Sequence, residues 1–127
     1  MDGDYGSKDW MGGWKPAHSL YIASTVMSTA KPGLAVCDVG LKGVAVDSGL
    51  PVLRPGDHGG NLQYKAANDE HGILQIAAGD RQDYLGSRVY LIPGHCDPTA
   101  NLYQQYVGYR RDVVECIWEI DARGLSQ

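Results

Sequence analysis

No segment of this 127-residue chain keeps its apolar residues on a helical period, and this constrains the fold more than any motif does. What recurs instead is short runs of β-branched and aromatic residues, interrupted by glycine and proline. In residues 19–28, Leu20, Ile22, Ser24 and Val26 alternate with Tyr21, Ala23, Thr25 and Met27. That is the two-residue period of a strand with one buried face. Lys31-Pro32-Gly33 reads as a turn. Further strands are expected over 34–38, 61–66, 73–77 and 88–92. Residues 105–109 and 113–120 read as the arms of a hairpin about Arg110-Arg111-Asp112, with Val114, Cys116, Trp118 and Ile120 on one face. Residues 54–60 read as a loop and 99–103 as one helical turn. The expected fold is all-β, a small β-barrel or sandwich.

Composition narrows the function classes. The length suits one domain. The formal charge is −4 with no basic run, which argues against nucleic acid as a partner, because phosphate binding needs clustered lysine and arginine. No apolar stretch reaches membrane-spanning length and no leader pattern is visible, so no membrane partner is expected. Cys37, Cys96 and Cys116 are odd in number and widely spaced. They suggest neither a disulfide framework nor a zinc knuckle, and a reducing, cytoplasmic setting is the expectation. The eight tyrosines and three tryptophans point to rings lining a cleft or interface with their polar tips wet.

The strongest chemical signal lies in residues 91–99, Leu-Ile-Pro-Gly-His-Cys-Asp-Pro-Thr. A strand runs into Pro93 and Gly94, which end its ladder. His95 and Asp97 are two residues apart. In extended backbone their side chains share a side, about 7 Å apart along the strand, and Cys96 faces the other way. An imidazole and a carboxylate so placed can converge on one metal ion or one polar substrate group, although two donors do not complete a metal site. The competing reading is a capped strand-to-turn corner, with Asp97-Pro98-Thr99 opening a helical turn. Lys42, between Asp38 and Asp47, reads as an anion site or, more plainly, a surface ion pair. Glu70-His71 reads as an acid–base pair or as a group orienting a metal ligand from behind. His18 and His58 show no partner in the sequence. No phosphate-cradling glycine loop and no nucleophile elbow is present.

Five motifs in order carry a family resemblance: Asp38-Val39-Gly40-Leu41-Lys42; Asp47-Ser48-Gly49-Leu50-Pro51; Asp69-Glu70-His71-Gly72; the run from Pro93 through His95 and Asp97 to Tyr103; and Trp118-Glu119-Ile120-Asp121-Ala122-Arg123-Gly124. Together they resemble the C-terminal domain of the low-specificity D-threonine aldolases. Those are similar to the D-serine dehydratases and belong with the alanine-racemase-like pyridoxal phosphate enzymes. The resemblance spans nearly the whole chain. It implies that residues 1–15 are the junction from an N-terminal barrel carrying pyridoxal phosphate, and that residues 16–127 are a C-terminal β-domain supplying metal ligands.

The resemblance puts the metal ligands on His95 and Asp97, with His71 as a supporting group and Cys96 as a bystander. The dehydratase branch has cysteine at the second ligand position, so Asp97 favours the aldolase branch. Glu119 stands where proline is common in relatives. The implied reaction cleaves a D-3-hydroxy amino acid to glycine and an aldehyde. It uses pyridoxal phosphate and a divalent ion, manganese in the first place and zinc in the second. None of Lys8, Lys15, Lys31, Lys42 or Lys65 has the context of the cofactor-binding lysine, so this chain alone is expected to be inactive. The complete protein is expected to form a homodimer, and Trp10, Trp14 and Tyr103 are expected to be uncovered without the barrel. The alternatives are a dehydratase domain and a free-standing, non-catalytic β-domain.

Overall fold

The alternation over residues 19–28 becomes strand β1, Ile22–Ser28, in which Ile22, Ser24 and Val26 point inward and are buried. The structure, a computed structural model, describes residues 2–6, 8, 11–14 and 16–125. The chain continues through β2 (Leu34–Cys37), β3 (Val52–Leu53), β4 (Leu62–Ala67), β5 (Gly72–Ile76) and β6 (Arg88–Ile92). A short helix α1 (Gly3–Gly6) precedes β1, and a second, α2 (Cys96–Ala100), follows β6. Strands β7 (Gln105–Arg110) and β8 (Val113–Glu119) complete the described elements.

The first six strands form one antiparallel sheet in the order β3-β6-β1-β2-β5-β4. Its edge strands β3 and β4 lie against each other, so the sheet curls into a nearly closed barrel. Curling removes most of the exposed edge. The interior holds Val26, Ala35, Cys37, Val44, Leu74, Tyr84, Val89 and Leu91. Tyr64 lies within the same core, and its hydroxyl donates to the Val39 carbonyl oxygen at 2.8 Å. Burial pushes that hydroxyl's pKa up to about 12, so it stays a donor.

The sequence expectations hold for β1, β2, β4, β5, β6 and both hairpin arms, to within a few residues at the ends. Three local readings change. Residues 57–60 form a 3-10 turn rather than open loop, and β3 pairs just before it. The helical turn expected over 99–103 starts earlier, at Cys96. In the leading segment α1 is helical and Asp2 is fully buried. Trp14 is exposed, but Tyr103 is half-buried with its hydroxyl on the Gly43 carbonyl oxygen at 2.7 Å, so it is not left uncovered. Trp10 and Lys15 lie outside the described residues.

The hairpin β7–β8 pairs with no strand of the barrel among the described residues. The face of β8 formed by Val114, Cys116, Trp118 and Ile120 is half-open: Cys116 and Ile120 are half-buried, but Val114 and Trp118 are exposed. The hairpin touches the barrel where Tyr109 stacks on Tyr90, ring centres 6.3 Å apart. Arg54 also lies over the Tyr90 ring, 4.2 Å from its centre. At the hairpin's tip Arg111 and Asp112 both take left-handed backbone, φ 50° and 63°.

Two of the motifs, 38–42 and 69–72, pack against each other. The Leu41 and Lys42 N–H groups donate to the carbonyl oxygens of Asn68 and Asp69, each at 2.8 Å. Contact this close requires glycine at position 40. A methyl group there would overlap the Asn68 carbonyl oxygen and lie 2.5 Å from the His71 nitrogen. Gly40→Ala is therefore expected to destabilise the fold by about 3 kcal/mol, the upper end for overpacking against backbone. Urea unfolding monitored by tryptophan fluorescence checks this, and an unchanged midpoint would contradict the packing described.

Candidate functional site

Strand β6 delivers the chain to Pro93 and Gly94, and the next five residues build a polar corner. Gly94 does not have the left-handed backbone that glycine alone tolerates. It is needed for space, because a methyl group there would lie 2.7 Å from the Gly49 and 2.9 Å from the Ser48 carbonyl oxygens. The 47–49 segment is thus pressed directly onto the loop.

A second fastening comes from Thr99, which is buried. Its hydroxyl donates to the His95 carbonyl oxygen at 2.8 Å and accepts from the Ala45 N–H at 3.2 Å. Helix α2 and the segment leading to Asp47 are therefore held as one unit. Pro98 falls in the first turn of α2, where its missing N–H removes no helical bond.

His95 sits at the centre of this corner. Its backbone is extended, φ −137° and ψ 128°, but the helix begins at the next residue. The extended run assumed for 95–97 is therefore not what aligns the pair. The bend into α2 brings them together instead, with His95 Nε2 and Asp97 Oδ2 3.9 Å apart. The other ring nitrogen, Nδ1, faces Asp47 Oδ2 at 3.1 Å. With Asp47 accepting from Nδ1–H, the lone pair of Nε2 is left on the side of Asp97. This is the arrangement in which a carboxylate fixes the tautomer of a metal-binding histidine.

Cys96 lies between the two donors. Its thiol donates to Asp97 Oδ1 at 3.1 Å, so it does not face fully away from Asp97. Burial, together with the carboxylates of Asp97 and Asp2, pushes its pKa up to about 12. It remains a neutral thiol at ordinary pH, a poor ligand and a poor nucleophile.

The donor set fits a cation in chemistry and reach. One imidazole nitrogen and one carboxylate oxygen are intermediate-to-hard donors. Bonds of about 2.1 Å from each can close on one ion across the 3.9 Å gap. Asp97 is 85 % exposed and His95 33 %, so the pair opens to whatever approaches this face. Among the described residues no group of three or more His, Cys, Asp or Glu is arranged to hold a metal. Protein donors at this corner therefore number two, and the rest of a coordination shell would come from outside it.

His71 falls elsewhere. It is exposed in a shallow depression with Leu41, Lys42, Asn68, Asp69 and Glu70, and no described hydrogen bond or ion pair joins it to His95 or Asp97. The orienting position behind His95 is held by Asp47. Lys42 pairs with Glu70 at 2.8 Å, both well exposed, the plainer of its two readings. His58 Nε2 lies 2.9 Å from the Arg88 carbonyl oxygen and its ring stands edge-on to Tyr84.

Sequence reasoning missed Asp47 and Asp2 as parts of this corner. In the sequence Asp47 stands out only as a motif residue and as a neighbour of Lys42. Its motif precedes the histidine by 48 positions, so only the recurrence of both motifs together could have hinted at contact.

An antiparallel β-barrel that presents a histidine and a carboxylate from the turn after its sixth strand is the class of domain these observations define. The sequence pattern of the putative serine dehydratase domain family matches residues 19–109, and the chain belongs to that family. A D-threonine aldolase from Arthrobacter sp is 43 % identical over 129 residues, covering 100 % of this chain and 33 % of that protein. A 3-hydroxy-D-aspartate aldolase from Paracoccus denitrificans is 42 % identical over 131 residues, covering 98 % and 32 %. The crystal structure of D-threonine aldolase from Filomicrobium marinum superposes with a TM-score of 0.86 at 34 % identity, covering 100 % of this chain and 34 % of that one. A D-threo-3-hydroxyaspartate dehydratase mutant, solved in the metal-free form, gives 0.62 at 26 % identity over 78 % of this chain and 31 % of that one. The chain thus spans about a third of the length of the curated relatives it matches. The family assignment drawn from the five motifs is borne out, as is the all-β domain.

The Asp47–His95 contact has a titration signature. Its hydrogen bond to Asp47, more than any other influence, raises the pKa of His95, and the same bond lowers that of Asp47. The contact favours the fold while histidine is charged and aspartate ionised. It is lost as pH rises through the raised His95 value and as pH falls through the lowered Asp47 value. In the metal-free chain, Asp47→Asn should bring the His95 titration down toward the ordinary histidine value. Ring-proton NMR measures this, and an unmoved titration would remove Asp47 from the corner.

Proposed function

We infer that this chain is the metal-binding domain of a lyase that cleaves D-3-hydroxy amino acids to glycine and an aldehyde. The observation that carries this reading is the His95–Asp97 pair, held on one side of a rigid corner with Asp47 occupying the far nitrogen of the ring. The domain division follows the same reading: residues 1–15 join an N-terminal barrel to a β-domain spanning 16–127. The relatives' greater length supports a partner domain of this kind, and a homodimer is proposed for the complete protein.

His95 would hold the divalent ion through Nε2 and Asp97 through a carboxylate oxygen, with manganese the first candidate and zinc the second. The chemistry such an ion supplies there is Lewis acidity toward the substrate's 3-hydroxyl oxygen. The chemistry that pyridoxal phosphate supplies, from the part of the protein outside this chain, is an electron sink for the charge left when the Cα–Cβ bond breaks. The residues of this chain orient and bind. Asp47 holds the imidazole in the tautomer that presents Nε2. Thr99 and Gly94 fix the distance between the turn that carries both donors and the segment that carries Asp47. Cys96 stays protonated and does not compete for the ion.

A dehydratase is the second reading, favoured by the family pattern and by the solved dehydratase. The aldolase is preferred because the relatives above 40 % identity are aldolases. Adding the missing barrel and assaying for aldehyde against keto acid separates them.

Asp97→Ala in the two-domain protein should abolish stimulation by manganese and lower the bound metal measured by elemental analysis. Unchanged metal content together with unchanged turnover would reject the ligand assignment. The 127-residue chain by itself should release no aldehyde from a D-3-hydroxy amino acid. Turnover without a barrel would place the cofactor lysine within this chain.

A further inference from the structure

Asp2 is a fully buried carboxylate in a segment that the site chemistry above does not use. Burial would raise its pKa, but the Tyr5 N–H, the Cys96 thiol and N–H, and the charge of His95 together outweigh that and hold it below the usual carboxylate range. Both oxygens are engaged. Oδ1 accepts from the Tyr5 N–H at 3.0 Å, within its own segment. Oδ2 accepts from the Cys96 N–H at 2.8 Å, across 94 positions of sequence. One residue on, the Gly3 N–H donates to the Pro93 carbonyl oxygen at 2.8 Å. The two long-range bonds grip the loop at Pro93 and at Cys96, on either side of Gly94 and His95.

The Cys96 N–H is one of the unpaired donors at the start of α2. The residue in the N-cap position is His95, and its side chain makes no capping bond. A distant aspartate satisfies this first helical amide, while the His95 ring is turned to Asp47 and Asp97.

We propose that Asp2 is a positioning residue for the His95–Asp97 pair, acting through the Cys96 amide that lies between them. The peptide it fixes is the one at which the chain turns from extended to helical, so it sets the 3.9 Å separation of the two donors. Its charge also lies on the cation's side of the balance, since three aspartates, Asp2, Asp47 and Asp97, bear on His95.

This role rests on the metal reading above, and the two can fail separately. The test uses the full 127-residue chain and Mn²⁺ alone, with free Mn²⁺ read by electron paramagnetic resonance and amide exchange read by NMR. In Asp2→Ala, Mn²⁺ affinity should fall about 10-fold or more, the usual effect of losing a group that orients a ligand. Exchange at the Cys96 amide should rise about 10-fold or more, as expected for a freed helix-end donor, while amides of β1 and β6 keep their protection. Asp2→Asn keeps one acceptor oxygen and should fall between the two, and it carries the test if the alanine variant does not fold. Wild-type affinity in the variants would overturn the proposal. So would a loss of protection spread evenly over β1 and β6, which would mark Asp2 as a general stabiliser. If the unsubstituted chain binds no Mn²⁺ while Cys96 exchange still responds to Asp2, the metal reading has failed and the role toward the pair falls with it. If Mn²⁺ binds but Cys96 exchange is indifferent to Asp2, the tether alone has failed.

Discussion

The corner depends on one buried hydroxyl. Thr99 donates to the carbonyl oxygen of the residue four before it and accepts from the Ala45 amide. Each bond is ordinary, worth about 1 kcal/mol net, but an unmet donor or acceptor in its place would cost more. Their importance is geometric. Ala45 precedes Asp47 by two residues and His95 begins the turn, so the same oxygen sets where both side chains start. Gly94 then lets the 47–49 backbone come close enough for Asp47 to reach the ring. The carboxylate, imidazole and second carboxylate of this site stand in line because two main-chain segments were first joined behind them.

The strands were legible because a barrel strand has one wet and one dry face, and the alternation through Leu20, Ile22, Ser24 and Val26 records it. The 88–92 strand was read to the residue. Strand β3 escaped because two residues between Pro51 and Arg54-Pro55 are too few to show a period. The donors His95 and Asp97 were legible as residue types at a useful spacing, but the reason first given for their convergence was wrong. The backbone is extended only at His95, and the turn into α2 at Cys96 brings the two groups together. Asp47 and Asp2 were invisible as site residues for one shared reason. Local rules of capping and alternation reach three or four residues, whereas these contacts span 48 and 94.

His71 shows a different relation between motif and structure. A histidine beside a glutamate in a glycine-flanked motif looked like part of the chemistry. In the structure its motif is spent on packing. Gly40 and Gly72 let the 38–42 and 68–72 segments cross in near contact, and a methyl group on Gly72 would lie 2.5 Å from the Val39 carbonyl oxygen. The histidine side chain is left outside that crossing. A family motif thus marks a place where substitution is costly without telling whether sterics or reactivity makes it so.

The hairpin β7–β8 gives the molecule a second mechanical character. It is a two-stranded ribbon, joined to the barrel by few side chains, and its tip places Arg111 and Asp112 in a backbone region that ordinary side chains occupy at a cost. None of the hydrogen bonds that Thr99 and Asp2 make at the acidic corner runs through this ribbon, so the ribbon and the corner are built from separate sets of bonds.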